Sequence, residues 1–538
     1  MNQTDLKVSS VLSETTLNFA KEIGKHEISA VAGVEFQTTK IIGTALAGVN
    51  VPDAAILNYN LFSPADITVT ERKETRSRES VFGRVNYAYD DKYLASVSLR
   101  RDGDSRFGTN NQFAVFPAVS LGWNMHKESF LADNETLSKL KLRFSTGSLG
   151  TASFLGSYNS LSLLNSTTAT AFGTGYNIPS DVANPDLTWQ TNTETNYGVD
   201  FGFVNNRFTI GVDYYTSDIE DILINQSVSE VLGTNAIKLN SGDVRSSGVE
   251  FEFSAGIIQK EDFSWNVNGN LSTVSTEITD LGGLDELPRQ AVGQSGRDVV
   301  FRNYVGGQIG EMWALETAGQ VEMKYLEDGT RNPNNTTGEY YVVDQQSPGE
   351  AGYGEIDKTR TVEEGGDLVK AGQNTPDFYW GLNTSLNYKD FDMSLQFQGA
   401  QGGEVFNVDP YYYGSQWGGR LVDNFKDADG RAVHNGMFVR GAKDNIDANI
   451  QDASYLALRN ITIGYTLKQD VVEKIGLSSV RVYGAATNLL YIMADDYTSY
   501  NPEGIETTGD YNGPTTSGFQ IGASPVVRSF TLGLNLNF

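Results

Sequence analysis

Ser529-Phe530-Thr531-Leu532-Gly533-Leu534-Asn535-Leu536-Asn537-Phe538 closes the chain and decides the reading of the fold. Successive side chains on a strand point to opposite faces. Phe530, Leu532, Leu534, Leu536 and Phe538 therefore share one face, and Thr531, Gly533, Asn535 and Asn537 the other. A soluble sheet can carry such a strand, but soluble sheets guard an apolar edge. A bacterial outer-membrane barrel ends naturally on one, because its last strand pairs with its first. The stretch is expected to be a barrel-closing assembly strand.

The pattern recurs. Val81, Gly83, Val85, Tyr87 and Tyr89 oppose Arg84, Asn86 and Ala88. Tyr93, Ala95, Val97 and Leu99 oppose Ser96, Ser98 and Arg100, and Phe113, Val115, Val119, Leu121 and Trp123 continue the series. Tyr197 to Phe203 and Phe208 to Tyr214 flank the turn Asn205-Asn206. Val249, Phe251 and Phe253 oppose Glu250 and Glu252. Phe263, Trp265 and Val267 oppose Ser264, Asn266 and Asn268. Trp380 to Leu386 and Phe391 to Phe397 flank Lys389-Asp390. Charges such as Arg84, Arg100, Asp213, Glu250 and Glu252 would be costly in a sandwich core, but suit a water-filled lumen. The apolar face carries almost no charge, as lipid demands.

Short turns at 24–25, 90–92, 205–206, 260–262 and 389–390 alternate with long polar segments near 41–69, 151–186, 225–245, 326–375, 403–452 and 493–524. Periplasmic turns and extracellular loops alternate in this way. The alternating runs predict an all-β fold, a large antiparallel transmembrane β-barrel contributing about 17 strands.

Composition agrees. The 538 residues carry a net charge of -27, which argues against nucleic acid or anionic lipid as an electrostatic partner. Cysteine is absent, which excludes disulfides and cysteine-based metal or redox chemistry. His26, His126 and His434 are far apart, and none belongs to an HExxH pattern. Glycine, at 56 residues, and aromatics, at 11%, fit tight turns and aromatic girdles. No apolar run approaches the roughly 20 residues of a spanning helix, but barrel strands need only about 9–11. The start, Met1-Asn2-Gln3-Thr4-Asp5-Leu6-Lys7, does not read as a signal peptide.

Several stretches carry a family resemblance. Phe82-Gly83-Arg84-Val85-Asn86-Tyr87-Ala88-Tyr89, Lys92-Tyr93-Leu94 and Arg100-Arg101-Asp102-Gly103-Asp104-Ser105-Arg106-Phe107-Gly108 resemble the SusC/RagA family of TonB-linked outer-membrane transporters. The resemblance continues in Phe116-Pro117-Ala118-Val119-Ser120-Leu121-Gly122-Trp123, Leu140-Lys141-Leu142-Arg143, Asn184-Pro185-Asp186-Leu187-Thr188-Trp189 and Val212-Asp213-Tyr214-Tyr215. Gln451-Asp452-Ala453-Ser454-Tyr455-Leu456, Leu458-Arg459-Asn460-Ile461-Thr462-Ile463-Gly464-Tyr465, Val480-Arg481-Val482-Tyr483 and Thr487-Asn488-Leu489-Leu490 complete it.

The resemblance implies import of oligosaccharides or peptides, a SusD-like surface lipoprotein as lid, and TonB acting on a plug. No signal peptide, TonB-contacting segment or plug domain is read in residues 1–538. The chain is therefore expected to be the C-terminal part of a barrel of about 22 strands, the plug and first strands coming from another polypeptide or from residues outside this sequence. Outer-membrane lipid surrounds such a barrel. A passive porin and a structural subunit of a larger outer-membrane assembly are the alternative readings.

No catalytic constellation, metal site or cofactor motif is read. Asp427-Ala428-Asp429-Gly430 opens like an EF-hand loop, but the following residues supply no matching ligands. The run from Pro348-Gly349-Glu350 to Pro376-Asp377-Phe378 lacks the DxNxDG run of the family, so no calcium site is expected there. Tyr411, Tyr412, Tyr413 and Trp417 are the best candidates for substrate or lid contact, since flat aromatic faces stack on sugar rings or peptide side chains. Tyr87, Tyr89 and Phe538 read instead as girdle anchors.

Overall fold

The computed structural model describes residues 2–49, 63–132, 134–162, 164–166, 177–179, 182–227, 236–293, 298–316, 342–343, 356–357, 368–409, 445–504 and 515–538. The strands, in chain order, are β1 (Asn2–Ile23), β2 (His26–Gly48), β3 (Ile67–Tyr89), β4 (Tyr93–Asp104), β5 (Phe113–Asn124), β6 (Leu137–Thr151), β7 (Leu164–Ser166), β8 (Asn177–Pro179), β9 (Gln190–Phe203), β10 (Phe208–Ser227), β11 (Ala236–Lys260), β12 (Phe263–Ser272), β13 (Ser275–Leu281), β14 (Gln290–Gly293), β15 (Asp298–Arg302), β16 (Glu311–Leu315), β17 (Val342–Val343), β18 (Ile356–Asp357), β19 (Leu368–Gln373), β20 (Phe378–Tyr388), β21 (Phe391–Gln401), β22 (Glu404–Asn407), β23 (Ile450–Asp452), β24 (Tyr455–Thr466), β25 (Ser479–Met493), β26 (Phe519–Gln520) and β27 (Ser529–Asn537).

One sheet holds sixteen of these strands, close to the number expected from alternation. Fifteen lie on a single path, β1-β2-β3-β4-β5-β6-β9-β10-β11-β12-β20-β21-β24-β25-β27, and β13 pairs with β11 beside it. The strands divide into two compact units. The first comprises Met1–Asp133, Lys141–Gly198 and Tyr215–Val244, and the second Asn134–Leu140, Val199–Tyr214 and Arg245–Phe538. No described helix is long and apolar enough to cross a membrane.

The short connections are tight turns, as expected. Asp90 and Asp91 take φ of 54° and 52°, and Asn205 and Asn206 take 56° and 59°. Gly, Asn and Asp tolerate left-handed backbone best, which suits these three- and four-residue connections. The long connections are shorter, and more structured, than the sequence reading had them. β2 continues to Gly48 and β3 begins at Ile67, so residues 41–48 and 67–69 are strand rather than loop. Likewise β10 reaches Ser227 and β11 starts at Ala236. The extensions lack clean alternation: Ile41-Ile42-Gly43-Thr44-Ala45-Leu46-Ala47-Gly48 is apolar at neighbouring positions, and Asn225-Gln226-Ser227 is polar throughout.

Candidate functional site

Register fixes which side chains share a face. In the first unit Val81, Val85 and Tyr87 lie level with Val34, Ala30 and Ile28 on β2, and with Arg101, Val97 and Ala95 on β4. Val97 and Ala95 lie level with Val119 and Leu121 on β5. The resulting apolar face is bounded at the short-turn end by aromatic side chains. Tyr89, Tyr93 and Trp123 stack in sequence, with centroids 6.4 and 6.3 Å apart. Glu128, beyond the strand end, accepts from Tyr93 Oη at 2.6 Å and Trp123 Nε1 at 3.2 Å. Those bonds hold its carboxyl below the ordinary range. Such rings, apolar at one end and hydrogen-bonded at the other, mark a membrane–water boundary.

The opposite face is polar in both units. In the first, Ser29, Asn86 and Ser96 stand in one row, joined by Asn86 Nδ2→Ser29 Oγ (3.1 Å) and Ser96 Oγ→Asn86 Oδ1 (2.8 Å). Above them Arg100 reaches Glu35, Asp102 and Ser80 at 3.3, 2.6 and 2.7 Å. In the second unit one row runs Ser254, Asn268, Asn383, Gln396, Asn460, Thr487 and Ser529 across seven neighbouring strands. None of them is charged; the Thr487 and Ser529 hydroxyls share a hydrogen bond, and Asn460 Oδ1 accepts from Thr462 Oγ1 at 3.1 Å. Two rows nearer the turns on β21, Asp392 accepts from Arg481 Nε at 2.8 Å, with the pair passing over Gly464. A face of this kind requires water or a polar occupant against it.

Among the described strands, the terminal strand β27 pairs with β25 and ends the path of the sheet. Phe530, Leu532, Leu534 and Leu536 lie on the apolar face, and Thr531, Gly533 and Asn535 pair with Ala485, Tyr483 and Arg481 of β25. Leu532 is 89% exposed and Phe538 92%, so nothing described covers them. Tyr411, Tyr412, Tyr413 and Trp417, and the run Asp427-Ala428-Asp429-Gly430, lie outside the described residues.

Two arrangements went unseen in the sequence. The first joins two family-like motifs into one corner of the first unit. Gly108 N donates to Leu187 O at 2.9 Å, and Asn110 Nδ2 donates to Asp186 Oδ1 at 2.7 Å. Phe107 packs on Trp189 with centroids 4.3 Å apart. A Cβ on Gly108 would collide with the Pro185 carbonyl. Arg106 donates to both oxygens of the buried Asp104, at 2.9 and 2.6 Å, and to Ala152 O at 2.6 Å.

The second is a folded module in the second unit, built from the long connections that follow β12, β21 and β25. β14, β15, β16 and β19 form one small sheet, and β23, β22 and β26 another. Val299, Phe301, Met312, Phe406, Val408 and Phe519 share their core. Val408 N donates to Gln520 O at 3.1 Å, and Tyr497 Oη donates to Gln520 Oε1 at 2.7 Å. Burial pushes the Tyr497 phenol up to about 12. Arg302 donates twice to Glu286, at 2.7 and 2.8 Å, and lies 4.1 Å from the Trp313 ring centroid.

The module is tied to the sheet by Glu503. Its Oε1 accepts from Tyr455 Oη at 2.6 Å, and its Oε2 from Tyr491 Oη at 3.0 Å and from Arg459 Nη2. Burial opposes ionisation of Glu503, yet these donors hold its carboxyl below the ordinary range. A register break aims Arg459. Gln396 pairs with Asn460 but Phe397 with Leu458, which leaves Arg459 between them. The sequence carried that signal: the apolar positions switch from Leu456 and Leu458 to Ile461, Ile463 and Tyr465.

A sheet that is apolar on one face and polar on the other, with hairpin turns at one end of its strands and folded loops at the other, defines a transmembrane β-barrel protein. The chain belongs to the TonB dependent receptor-like β-barrel family, whose pattern matches residues 2–357. It is an outer-membrane β-barrel chain, similar to receptors of the SusC type. TonB-dependent receptor P3 of Formosa agariphila is 31% identical over 541 residues, covering 98% of this chain and 52% of that protein. TonB-dependent receptor SusC of Bacteroides thetaiotaomicron is 29% identical over 496 residues, covering 88% of this chain and 45% of that protein. The chain thus spans about half the length of these relatives. Among solved structures, the RagAB peptide transporter superposes over 100% of this chain and 56% of its own, with TM-score 0.77 and 22% identity. That likeness establishes the fold.

Proposed function

We propose that this chain is the barrel wall and most of the loop surface of a SusC-like importer. The observation that carries the reading is the pairing of a lipid-suited face with a polar face along one sheet. Transport requires both: the first holds the protein in the membrane, and the second lets a polar solute pass. In this reading a SusD-like surface lipoprotein closes over the loop module, and TonB acts through a plug carried by residues or a polypeptide beyond these 538. The solute is an oligosaccharide or a peptide. No part of the reading assigns catalysis.

Strand parity supports the proposal of further strands. In an antiparallel sheet the first and fifteenth path strands run in the same sense. An antiparallel ring needs an even number. An odd number of additional strands completes it, and seven would bring fifteen to a barrel of about 22.

Deletion of the gene, followed by growth on single glycans or on peptides as sole carbon source, tests import. Loss of growth on one polymer, with growth on its monomer intact, is expected. Unchanged growth on every substrate, with the protein recovered in a larger surface assembly, would instead favour the structural-subunit reading. A steady open conductance from the purified chain alone would favour a passive porin.

A further inference from the structure

Arg459 and Tyr455 have partners on the sheet besides Glu503, and Tyr491 stacks on Tyr455. The guanidinium is positioned by neighbours on the sheet: Nε donates to Gln398 Oε1 at 3.3 Å and Nη1 to Asn488 Oδ1 at 3.3 Å, leaving Nη2 for the carboxylate. Asn488 takes φ of 50° inside β25, where its side chain meets Arg459. The two tyrosine rings stack in parallel, 5.3 Å apart with 4° between planes, and Gln398 Nε2 donates to Tyr455 Oη at 3.2 Å. Arg459 lies 5.5 and 5.6 Å from the two ring centroids. Three donors thus converge from β24 and β25, while Glu503 comes from the connection after β25, beside Gly504. The Arg459 and Glu503 side chains remain 20% and 31% exposed, so solvent reaches the pair.

We propose that Arg459, Tyr455 and Tyr491 form a preformed carboxylate-binding site, occupied in this structure by the chain's own Glu503, and that a ligand carboxylate exchanges with the loop for it. Binding of an acidic ligand then frees the loop from the sheet. The site requires no particular transported solute, so it stands or falls separately from the import reading.

The test uses the full-length protein purified from outer membranes, with acetate as probe. Glu503→Ala is expected to speed amide exchange across 494–504 at least tenfold and to bind acetate in calorimetry. Wild type should bind acetate at least tenfold more weakly, because its own carboxylate competes intramolecularly at high effective concentration. Adding Arg459→Gln to Glu503→Ala should abolish the heat. Glu503→Gln, which keeps the size of the side chain, serves if the alanine variant folds poorly. Comparing glucuronate with N-acetylglycine then separates a sugar acid from a peptide terminus as the preferred source. Equal acetate affinity in wild type and Glu503→Ala, no acetate binding by Glu503→Ala, or binding that survives Arg459→Gln would each overturn the proposal.

Discussion

Arg106 illustrates what one side chain contributes. Its side chain is 10% exposed and that of Asp104 0%, so the pair is desolvated and joined by two bonds. Removing one partner of a buried pair strands the other charge, at a cost of about 3–5 kcal/mol. Arg78, 3.7 Å from Asp104, offsets part of that. Arg106→Ala should therefore destabilise the corner by about 3 kcal/mol, read as new proteolytic cleavage within 105–112 and 184–189. Glu286 gives a pH-dependent case. Its two bonds from Arg302 depress its carboxyl from the ordinary 4.5. A depressed carboxylate contributes stability above pH 4.5 and loses it as the pH falls through the folded value. Glu286→Gln should weaken the loop module by about 1–3 kcal/mol near neutrality. The difference from wild type should vanish below the folded value, and amide exchange in β15 and β16 would measure it.

Single strands separate what the sequence displays from what it conceals. In β27 the two faces have opposite tolerances. Leu532→Lys or Leu534→Lys sets a charge against lipid, at a cost of about 2–4 kcal/mol near mid-membrane. Loss of the folded, heat-modifiable band from outer-membrane fractions is expected. Thr531→Lys, on the polar face beside Ala485, should assemble like wild type. Such strands were legible because one face must be apolar over a whole crossing, and the hairpins because Asp90, Asp91, Asn205 and Asn206 suit left-handed backbone. The module was not legible. β22 has four residues and β26 two, too short for any periodicity to show, and their pairing joins Phe406 to Phe519 across more than a hundred residues. Glu503 is equally silent, since it sits in an aperiodic connection, 44 and 48 residues from Arg459 and Tyr455 on β24 and 12 from Tyr491 at the near end of β25.

At the scale of the molecule the loop module couples connections that the chain keeps apart. Phe301, Met312, Phe406 and Phe519 are fully buried together, each such side chain contributing about 1.5–3 kcal/mol. Phe519→Ala should therefore loosen not only its own connection but β15, β16 and β22, with amide exchange rising in all three. A rise confined to 515–528 would refute that coupling. In the import reading the same variant should weaken capture of the lid lipoprotein while leaving the membrane-embedded strands unaltered.

The 23-residue strands β2 and β3 have a consequence of another kind. At about 3.3 Å per residue each extends some 75 Å, whereas a crossing uses only about 9–11 residues. Roughly half of each strand therefore stands clear of lipid, bearing Glu71, Arg72, Lys73, Glu74, Arg76, Arg78 and Glu79 on β3. Proteases and antibodies that approach from outside usually meet mobile loop tips. The described part of β2 and β3 offers them hydrogen-bonded, charge-studded strand, with few sites to cleave and a fixed shape to recognise.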